Sequence, residues 1–198
     1  GPSRMTLSSI AFVGGGNMAG ALIGGLLRSG WSAEAVAVVE PSAAQRETLA
    51  SRFGVRTLAE ADATLGRADC VVWAVKPQLF KAASAPCAAH VGGALQLSVM
   101  AGIRSDAIAL ATGSDRVVRA MPNTPALIGE GMSGLFARAS VSAEERAQVE
   151  KLLAPTGQTL WVDREEQLDA VTAMSGSGPA YVFYLLEAWI EAGTAMGL

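Results

Sequence analysis

A run of small residues near the start of the chain has the spacing of a phosphate-binding turn. Gly14, Gly16 and Ala19 stand in the order Gly-x-Gly-x-x-Ala, directly after an apolar segment. The first glycine of such a turn permits a sharp bend, the second lets a pyrophosphate approach the backbone, and the helix that follows directs free N–H groups at the phosphates. We therefore expect a dinucleotide to bind here. The residues assigned to this turn are Val13, Gly14, Gly15, Gly16, Asn17 and Met18.

A single acid, Glu40, ends the second apolar segment of the chain. A carboxylate at the end of the second strand of a dinucleotide fold accepts hydrogen bonds from the hydroxyls of the adenosine ribose. Its negative charge repels a 2′-phosphate, which favours NADH over NADPH. Arg46 and Arg52 on the following helix would offset this repulsion, so both NADPH and NADH stay open as cofactors.

Two further segments follow predicted strands across the crevice from the glycine turn. Lys76 precedes Pro77, and a proline favours an extended conformation in the residue before it. The lysine side chain could then project over a cofactor or meet a substrate carboxylate; a solvated lysine in a strand-to-helix turn is the alternative. Ala101 and Gly102, after the next strand, are small enough for a nicotinamide ring to lie against backbone.

Two loops carry candidate groups for binding a substrate. Prolines stiffen the loop 121–125 on both sides of an amide and a hydroxyl, and this loop is either a structural turn or a substrate-side loop. The run 175–178 precedes a helix opened by Pro179, whose N-terminus can hold a carboxylate, with plain helix capping as the alternative. The candidate substrate residues are Asn123, Thr124, Ser175 and Ser177.

Short apolar runs alternate with stretches that begin like helices, which is the pattern of a βαβ sheet with helices on both faces. Ser142 and Glu145, for example, have the spacing of a capping box at a helix start. The predicted fold class is therefore α/β, with a Rossmann-like, doubly wound and mostly parallel sheet. Its strands are expected at residues 9–13, 35–39, 70–74, 95–99, 116–120, 134–137 and 159–162.

The last part of the chain changes character. Residues 163–198 have the pattern of helices, and the final predicted helix, 179–198, is charged only at Glu187 and Glu191 while apolar side chains surround it. A helix that is apolar all round is buried, so a partner chain or missing C-terminal sequence is expected to cover it. We predict a dinucleotide-binding domain over residues 5–162, followed by the start of an all-helical domain over residues 163–198.

Charge and composition exclude several classes of protein. The net charge of −3 and the pI near 5.2 do not fit a nucleic-acid binder, which would carry a basic surface. His90 is the only histidine and no Cys-x-x-Cys pair occurs, so no metal site is expected. Cys70 and Cys87 lie in apolar stretches, which indicates buried, reduced thiols in a cytoplasmic protein.

The uncharged segment between Arg4 and Arg28 is long enough to be a signal peptide or a membrane helix. It contains six glycines and a central Asn17, and each glycine costs a helix interior about 1 kcal/mol relative to alanine. A strand, a glycine turn and a helix explain the segment better, so no membrane association is expected.

Four motifs together resemble the pyrroline-5-carboxylate reductase family. They are the glycine turn, Ala74-Val75-Lys76-Pro77, Met121-Pro122-Asn123-Thr124-Pro125 and Ser175-Gly176-Ser177-Gly178-Pro179-Ala180-Tyr181. The last two are far more specific than the first. The resemblance implies reduction of a cyclic imino acid, Δ1-pyrroline-5-carboxylate, to L-proline, the last step of proline biosynthesis, with hydride from NADPH or NADH. No metal ion or covalent nucleophile takes part in that family, and catalytic residues stay unassigned.

The resemblance also implies binding roles. The glycine turn and Glu40 hold the adenosine and the pyrophosphate, and the residues that line the nicotinamide are Ala74, Val75, Lys76, Pro77, Val99, Met100 and Ala101. Two positions depart from the family pattern. Glu40 stands where a small or basic residue is usual, and Ala61 where an asparagine is frequent, and both changes weaken the preference for NADPH.

The family continues into helices that form an interlocked dimer and supply a Ser-Pro-Gly-Gly-Thr-Thr loop over the substrate. That loop is missing from this sequence. The chain is therefore expected to be a C-terminally truncated reductase in which residues 163–198 are part of a helical substrate and dimerisation domain. We expect it to bind dinucleotide, to form a homodimer or higher homo-oligomer through its C-terminal helices, and to turn over poorly.

Two alternatives stay open at this point. A β-hydroxyacid dehydrogenase has a similar glycine turn but needs a catalytic lysine on a helix after the Rossmann domain, whereas the last lysine here is Lys151. A non-enzymatic, dinucleotide-sensing module would bind the cofactor without reducing an imine.

Overall fold

The computed structural model describes residues 6–122 and 131–168. The strands in these ranges are β1 (Ile10–Val13), β2 (Val36–Val39), β3 (Arg56–Leu58), β4 (Cys70–Trp73), β5 (Leu95–Ser98), β6 (Val117–Pro122), β7 (Gly131–Ala137) and β8 (Gly157–Trp161). The helices are α1 (Asn17–Arg28), α2 (Ala43–Phe53), α3 (Phe80–Ser84), α4 (Ala88–Val91), α5 (Ser105–Thr112) and α6 (Ala143–Leu153). Short 3-10 turns join several of these elements.

The strands form one sheet in the order β3-β2-β1-β4-β5-β6-β7-β8. Strands β1 to β6 pair in parallel, β7 runs antiparallel to β6, and β8 runs parallel to β7. The order reverses between β1 and β4, because β2 and β3 extend the sheet to one side of β1 and the later strands extend it to the other. Ligands of doubly wound sheets bind at such a switch point, and the predicted fold class is confirmed.

Two apolar layers hold the helices against the sheet. On one face, side chains of α1 and α6, such as Ile23 and Val149, pack against Phe12 of β1. On the other face, Ile108 of α5 packs in a layer with Trp73 of β4. Parallel strands that are covered on both faces have nearly continuous apolar sequences, which is why the central strands are recognisable in the sequence.

Strand β3 is missing from the sequence prediction. It has only three residues, each at least partly exposed at the sheet edge, so neither its length nor an apolar pattern marks it. Strands β7 and β8 begin earlier than predicted, at Gly131 and Gly157, because they pair with each other from their first residues. The remaining strands agree with the prediction to within two residues at each end.

The helix start predicted at Ser142 is confirmed. The Glu145 N–H donates to Ser142 Oγ at 3.1 Å, and the Ser142 N–H donates to Glu145 Oε1 at 3.0 Å. This reciprocal pair satisfies two backbone donors that the first turn of α6 would otherwise leave without partners.

Cys70 and Cys87 are both buried and free, as predicted for two structural thiols. Burial raises the pKa of the Cys70 thiol to about 12. The thiolate is the reactive form of cysteine, so Cys70 is held in its unreactive state.

The uncharged segment near the N-terminus folds as β1, the glycine turn and α1, with β1 inside the sheet. Across the two described ranges, no helix is both long enough and apolar enough to cross a membrane.

Candidate functional site

The glycine turn and the loop after β4 meet at the switch point of the sheet. Gly14 has a φ of +101°, and a Cβ atom on it would lie 2.5 Å from the carbonyl oxygen of Ala74. The Ala74 N–H donates to the carbonyl oxygen of Val13 at 2.9 Å. A side chain at Gly14 is excluded by its backbone conformation and by the neighbouring carbonyl. Two of the segments predicted from sequence therefore lie side by side.

Both carboxylate oxygens of Glu40 accept hydrogen bonds from the backbone around the turn. Oε1 accepts from the Gly15 N–H at 2.9 Å, and Oε2 accepts from the Ser42 N–H at 2.8 Å. A Cβ atom on Gly15 would lie 2.6 Å from Leu49 Cδ1 and 3.3 Å from Glu40 Cβ. Each carboxylate oxygen has a second lone pair, so Glu40 can hold the turn and still accept from a ribose hydroxyl.

The N-terminus of α1 is left open to a ligand. Gly16 is the N-cap residue, no side chain in the described part of the chain caps the helix, and no acidic residue stands in its first turn. The first N–H groups of a helix need partners from outside it. A Cβ atom on Gly16 would meet no described residue within 4 Å, so these residues leave the space over this glycine open. Asn17 beside it is exposed and Met18 is half-buried against the core.

The loop after β4 presents Lys76 at the surface. Its φ of −61° and ψ of 140° are extended, as the following proline predicts, and its carbonyl oxygen accepts from the Leu79 N–H at 2.8 Å. Val75 and Pro77 are half-buried on either side. The exposed lysine side chain is free to reach a bound ligand beyond the ends of β1 and β4.

The loop after β5 forms the next part of the rim. The Val99 N–H donates to the carbonyl oxygen of Trp73 at 3.1 Å, which ties this loop to the end of β4. Val99 and Ala101 are half-buried, whereas Met100 is only 2% exposed and packs in the core. Met100 can therefore offer a ligand its backbone but not its side chain.

These features fit a dinucleotide such as NADPH or NADH. The open helix N-terminus and the space over Gly16 suit a pyrophosphate, and the oxygens of Glu40 suit ribose hydroxyls. Ala74 and Ala101, at the ends of neighbouring strands, are small enough to leave room for a flat ring.

Of the two arginines that could offset the charge of Glu40, only Arg46 lies beside it. Its Nη1 donates to the carbonyl oxygens of Glu40 at 2.9 Å and Pro41 at 2.8 Å. The guanidinium carbon of Arg52 instead lies 4.9 Å from the centre of the Phe53 ring. The Arg52 side chain therefore contacts Phe53 on its own helix.

A buried ion pair that the sequence prediction missed lies at the N-terminus of α5. Arg119 of β6 is 1% exposed, and its Nη1 lies 2.9 Å from Glu165 Oε2. The same carboxylate accepts from the Ser105 N–H at 2.6 Å and the Ser105 Oγ at 2.7 Å. Burial acts to raise the pKa of Glu165, but the hydrogen bonds from Ser105 and the charge of Arg119 outweigh it, so the pKa lies below its ordinary value.

One signal in the sequence could have revealed this pair. Arg119 is the only charged residue of the apolar stretch 117–121, and a charged residue in a buried strand requires a partner. Nothing in the sequence identifies Glu165 as that partner, since it stands 46 residues away.

The four candidate substrate residues lie outside the described residues. Asn123 and Thr124 follow directly after Pro122, the last residue of β6. Ser175 and Ser177 lie beyond residue 168, where the described range ends.

Two family profiles match the chain. The profile described as "NADP oxidoreductase coenzyme F420-dependent" matches residues 9–102, which contain the glycine turn, Glu40 and the loops after β4 and β5. The profile described as "Pyrroline-5-carboxylate reductase dimerisation" matches residues 165–198, which begin at the buried Glu165.

Individual relatives agree with these profiles. Pyrroline-5-carboxylate reductase of Pseudomonas aeruginosa is 45% identical over 98% of this chain, which spans 72% of that protein. The structure of a pyrroline-5-carboxylate reductase from Coxiella burnetii has a TM-score of 0.82 at 34% identity and covers 98% of this chain and 73% of its own. A Plasmodium falciparum pyrroline carboxylate reductase with NADP bound has a TM-score of 0.74 at 26% identity, covering 99% and 72% of the two chains. With relatives this similar over almost its whole length, the chain belongs to the pyrroline-5-carboxylate reductase family.

Proposed function

We propose that this chain reduces Δ1-pyrroline-5-carboxylate to L-proline with NADPH or NADH, the last step of proline biosynthesis, in the cytoplasm. The observation that carries the proposal is the 45% identity over 98% of the chain with the Pseudomonas aeruginosa reductase. The open glycine turn at the switch point supports the dinucleotide part of the reaction. A β-hydroxyacid dehydrogenase is not favoured, because the relatives that match almost the whole chain are pyrroline-5-carboxylate reductases.

The dinucleotide is proposed to bind along the carboxyl ends of β1, β2, β4 and β5. The turn 13–18 and Glu40 would hold the pyrophosphate and the adenosine ribose, and the loops 74–77 and 99–101 would line the nicotinamide. The open space over Gly16 and the two backbone hydrogen bonds to Glu40 support the first assignment. The hydrogen bond from the Val99 N–H to the carbonyl oxygen of Trp73 supports the assignment of the nicotinamide loops, because it brings the two loops together.

When bound, the reduced nicotinamide supplies a hydride to the imine carbon, and the imine nitrogen of the pyrroline ring takes up a proton. The C=N bond thereby becomes the C–N bond of proline. The task of the chain is to bring the two reactants together, since orientation alone can account for about 7–11 kcal/mol of a barrier. The loops after β4 and β5 would fix the nicotinamide side, and Lys76 is exposed where it can meet a carboxylate.

The imine is proposed to bind at Asn123, Thr124, Ser175 and Ser177. These residues belong to two different units, a dinucleotide-binding domain over residues 5–162 and part of a helical substrate and dimerisation domain over residues 163–198. The dimerisation profile over residues 165–198 supports a homodimer or higher homo-oligomer formed through the second unit.

The proposal is tested by following the oxidation of NADH and of NADPH with and without Δ1-pyrroline-5-carboxylate, together with the formation of proline. We expect oxidation that requires the imine and produces one proline for each cofactor consumed. The Gly16→Val variant, in which a side chain fills the space for the pyrophosphate, is the control and should oxidise neither cofactor. Cofactor binding without any proline would contradict the proposal and favour a dinucleotide-sensing module.

A further inference from the structure

The carboxylate of Glu165 joins three segments that are distant in sequence. It accepts from Ser105, the first residue of α5, which follows the loop 99–104 on the nicotinamide side. It also pairs with Arg119 of β6, the strand that runs on to the candidate substrate residues Asn123 and Thr124. Glu165 itself opens the segment matched by the dimerisation profile, which contains Ser175 and Ser177. One buried side chain thus contacts both the helix that follows the loop 99–104 and the strand that leads to Asn123 and Thr124, and it lies in the segment that leads to Ser175 and Ser177.

Apolar contacts join the same segments of the chain. Leu168 is fully buried and lies in one cluster with Met121 of β6 and Met132 of β7, and Ala101 packs against that cluster. The Gln167 Oε1 accepts from the Asp163 N–H at 3.1 Å and from the Arg164 N–H at 3.0 Å, which closes the turn that carries Glu165. The start of the C-terminal segment is therefore packed against both β6 and the loop after β5.

Stability alone does not explain the buried ion pair of Arg119 and Glu165. Arg119 is 1% exposed, and its buried Nε has no hydrogen-bond partner among residues 6–122 and 131–168. Removing two charges and a donor from water costs free energy that an apolar pair of similar volume would avoid. The feature that an apolar pair would not reproduce is the directed geometry, in which Glu165 binds Ser105 and Arg119 at once.

We propose that Glu165, held by Arg119 and Ser105, is a positioning residue for imine reduction, which fixes the start of the C-terminal segment against the nicotinamide-side loop. It acts through these segments and not by touching the reacting atoms. This inference rests on the proposed function, because it concerns the alignment of the imine with the cofactor.

The first test compares Glu165→Gln with the double variant Arg119→Met, Glu165→Met. The single change leaves Arg119 buried without its charge partner, whereas the double change removes both charges and keeps similar volumes. We expect kcat/KM for the imine to fall by about tenfold or more in both variants, while the Kd for NADH or NADPH stays unchanged in each. If the double variant recovers both its melting temperature and kcat/KM, the role of Glu165 is only structural and the proposal is wrong.

Glu145→Gln is the matched control. Glu145 is also a buried carboxylate paired with an arginine, Arg116, but it lies at the start of α6. This change should lower the melting temperature and leave kcat/KM for the imine as it is. An equal loss of kcat/KM in Glu145→Gln would mean that any buried pair has this effect, which would also overturn the proposal.

A second measurement does not depend on turnover. Hydrogen exchange of the amides in residues 99–104 and 166–168, with no ligand present, should become faster in Glu165→Gln and stay unchanged in Glu145→Gln. If the unchanged chain reduces no imine, the proposed function fails, and the exchange rates still report whether Glu165 fixes the nicotinamide-side loop. Exchange that is equally slow in Glu165→Gln would overturn the proposal.

Discussion

At the scale of single residues, Glu40 sets the charge of the proposed adenosine side of the site. Its carboxylate is held by the Gly15 N–H and the Ser42 N–H, so it cannot move away from an incoming ribose without losing both hydrogen bonds. Arg46 beside it is already bound to the carbonyl oxygens of Glu40 and Pro41. We therefore expect the fixed negative charge to oppose a 2′-phosphate more strongly than Arg46 favours one.

Replacing Glu40 by glutamine is expected to raise the affinity for NADPH relative to NADH by about tenfold, because it removes a negative charge near the 2′-phosphate. The ratio of the two Kd values, measured by titration of tryptophan fluorescence, checks this. Glu47→Gln is the matched control. It removes an exposed negative charge on α2, the helix that follows Glu40, and should leave the ratio unchanged. An unchanged chain that binds NADPH about tenfold more tightly than NADH would contradict the argument.

The carboxylate of Glu165 makes stability depend on pH in acid. Burial acts to raise its pKa, but the hydrogen bonds and the positive charge around it hold the pKa below the ordinary value. The groups that face it are Ser105, Arg119 and Arg104, and Arg138 reaches Ser105. Because the folded pKa is the lower one, the stabilisation is complete above the unfolded value of about 4.3 and is lost as the pH falls through the folded pKa.

We expect the free energy of unfolding to fall more steeply in the unchanged chain than in Glu165→Gln as the pH is lowered from about 5 to about 3. Urea unfolding at several pH values measures the two slopes. Asp62→Asn is the comparison, because hydrogen bonds from Thr64 also lower the pKa of Asp62, but at an exposed turn. Its removal should therefore flatten the slope less than Glu165→Gln does. Identical slopes for the unchanged chain and Glu165→Gln would rule out this role.

At the scale of elements, the glycine turn combines two requirements that different glycines meet. A side chain at Gly14 would strain the fold, because a Cβ atom would meet the Ala74 carbonyl oxygen at 2.5 Å. The described fold does not require a glycine at position 16 in that way, since no atom of residues 6–122 or 131–168 would lie within 4 Å of a Cβ there. The small size of Gly16 leaves open the space in which the pyrophosphate is proposed to bind.

Substitution of Gly14 should therefore reduce stability, whereas substitution of Gly16 should reduce dinucleotide binding. Gly14→Ala is expected to lower the free energy of unfolding by about 1–3 kcal/mol, because of the strained conformation and the close carbonyl. Gly16→Val should lose dinucleotide binding with a stability cost of about 1 kcal/mol from the weaker N-cap. Gly93→Val, at another glycine with open space around it, should keep both properties. Thermal melts and cofactor titrations separate the effects, and a Gly16→Val variant with normal affinity would contradict the site.

The sequence predicts the elements best where packing and local pattern agree. Strands β1, β2 and β4 are apolar throughout because both faces are covered, and the capping pair of Ser142 and Glu145 forms as its spacing predicts. Strand β3 is missed by the prediction because its pairing with β2, its one neighbour among the described strands, makes it a strand, and its own three residues show no strand pattern. The early starts of β7 and β8 have the same cause.

At the scale of the whole molecule, the segment that follows the sheet connects the dinucleotide domain to the proposed interface. Residues 165–198 match the dimerisation profile, and the predicted helix 179–198 has apolar side chains on all its faces. Such a surface is covered in a stable protein. We expect the chain to sediment as a dimer or a larger species, and a clean monomer would contradict the proposed interface.

By itself, the sequence determined the α/β fold class, the glycine turn, the position of Glu40 and the family motifs, because these depend on local spacing and on residue types with specific backbone or ligand requirements. Only the tertiary structure decided that Glu40 holds the turn through Gly15, that Arg46 and not Arg52 lies beside it, and that Glu165 pairs with Arg119. These contacts join residues that the chain brings together only when the sheet and its helices pack, and no local pattern in the sequence encodes such a pairing.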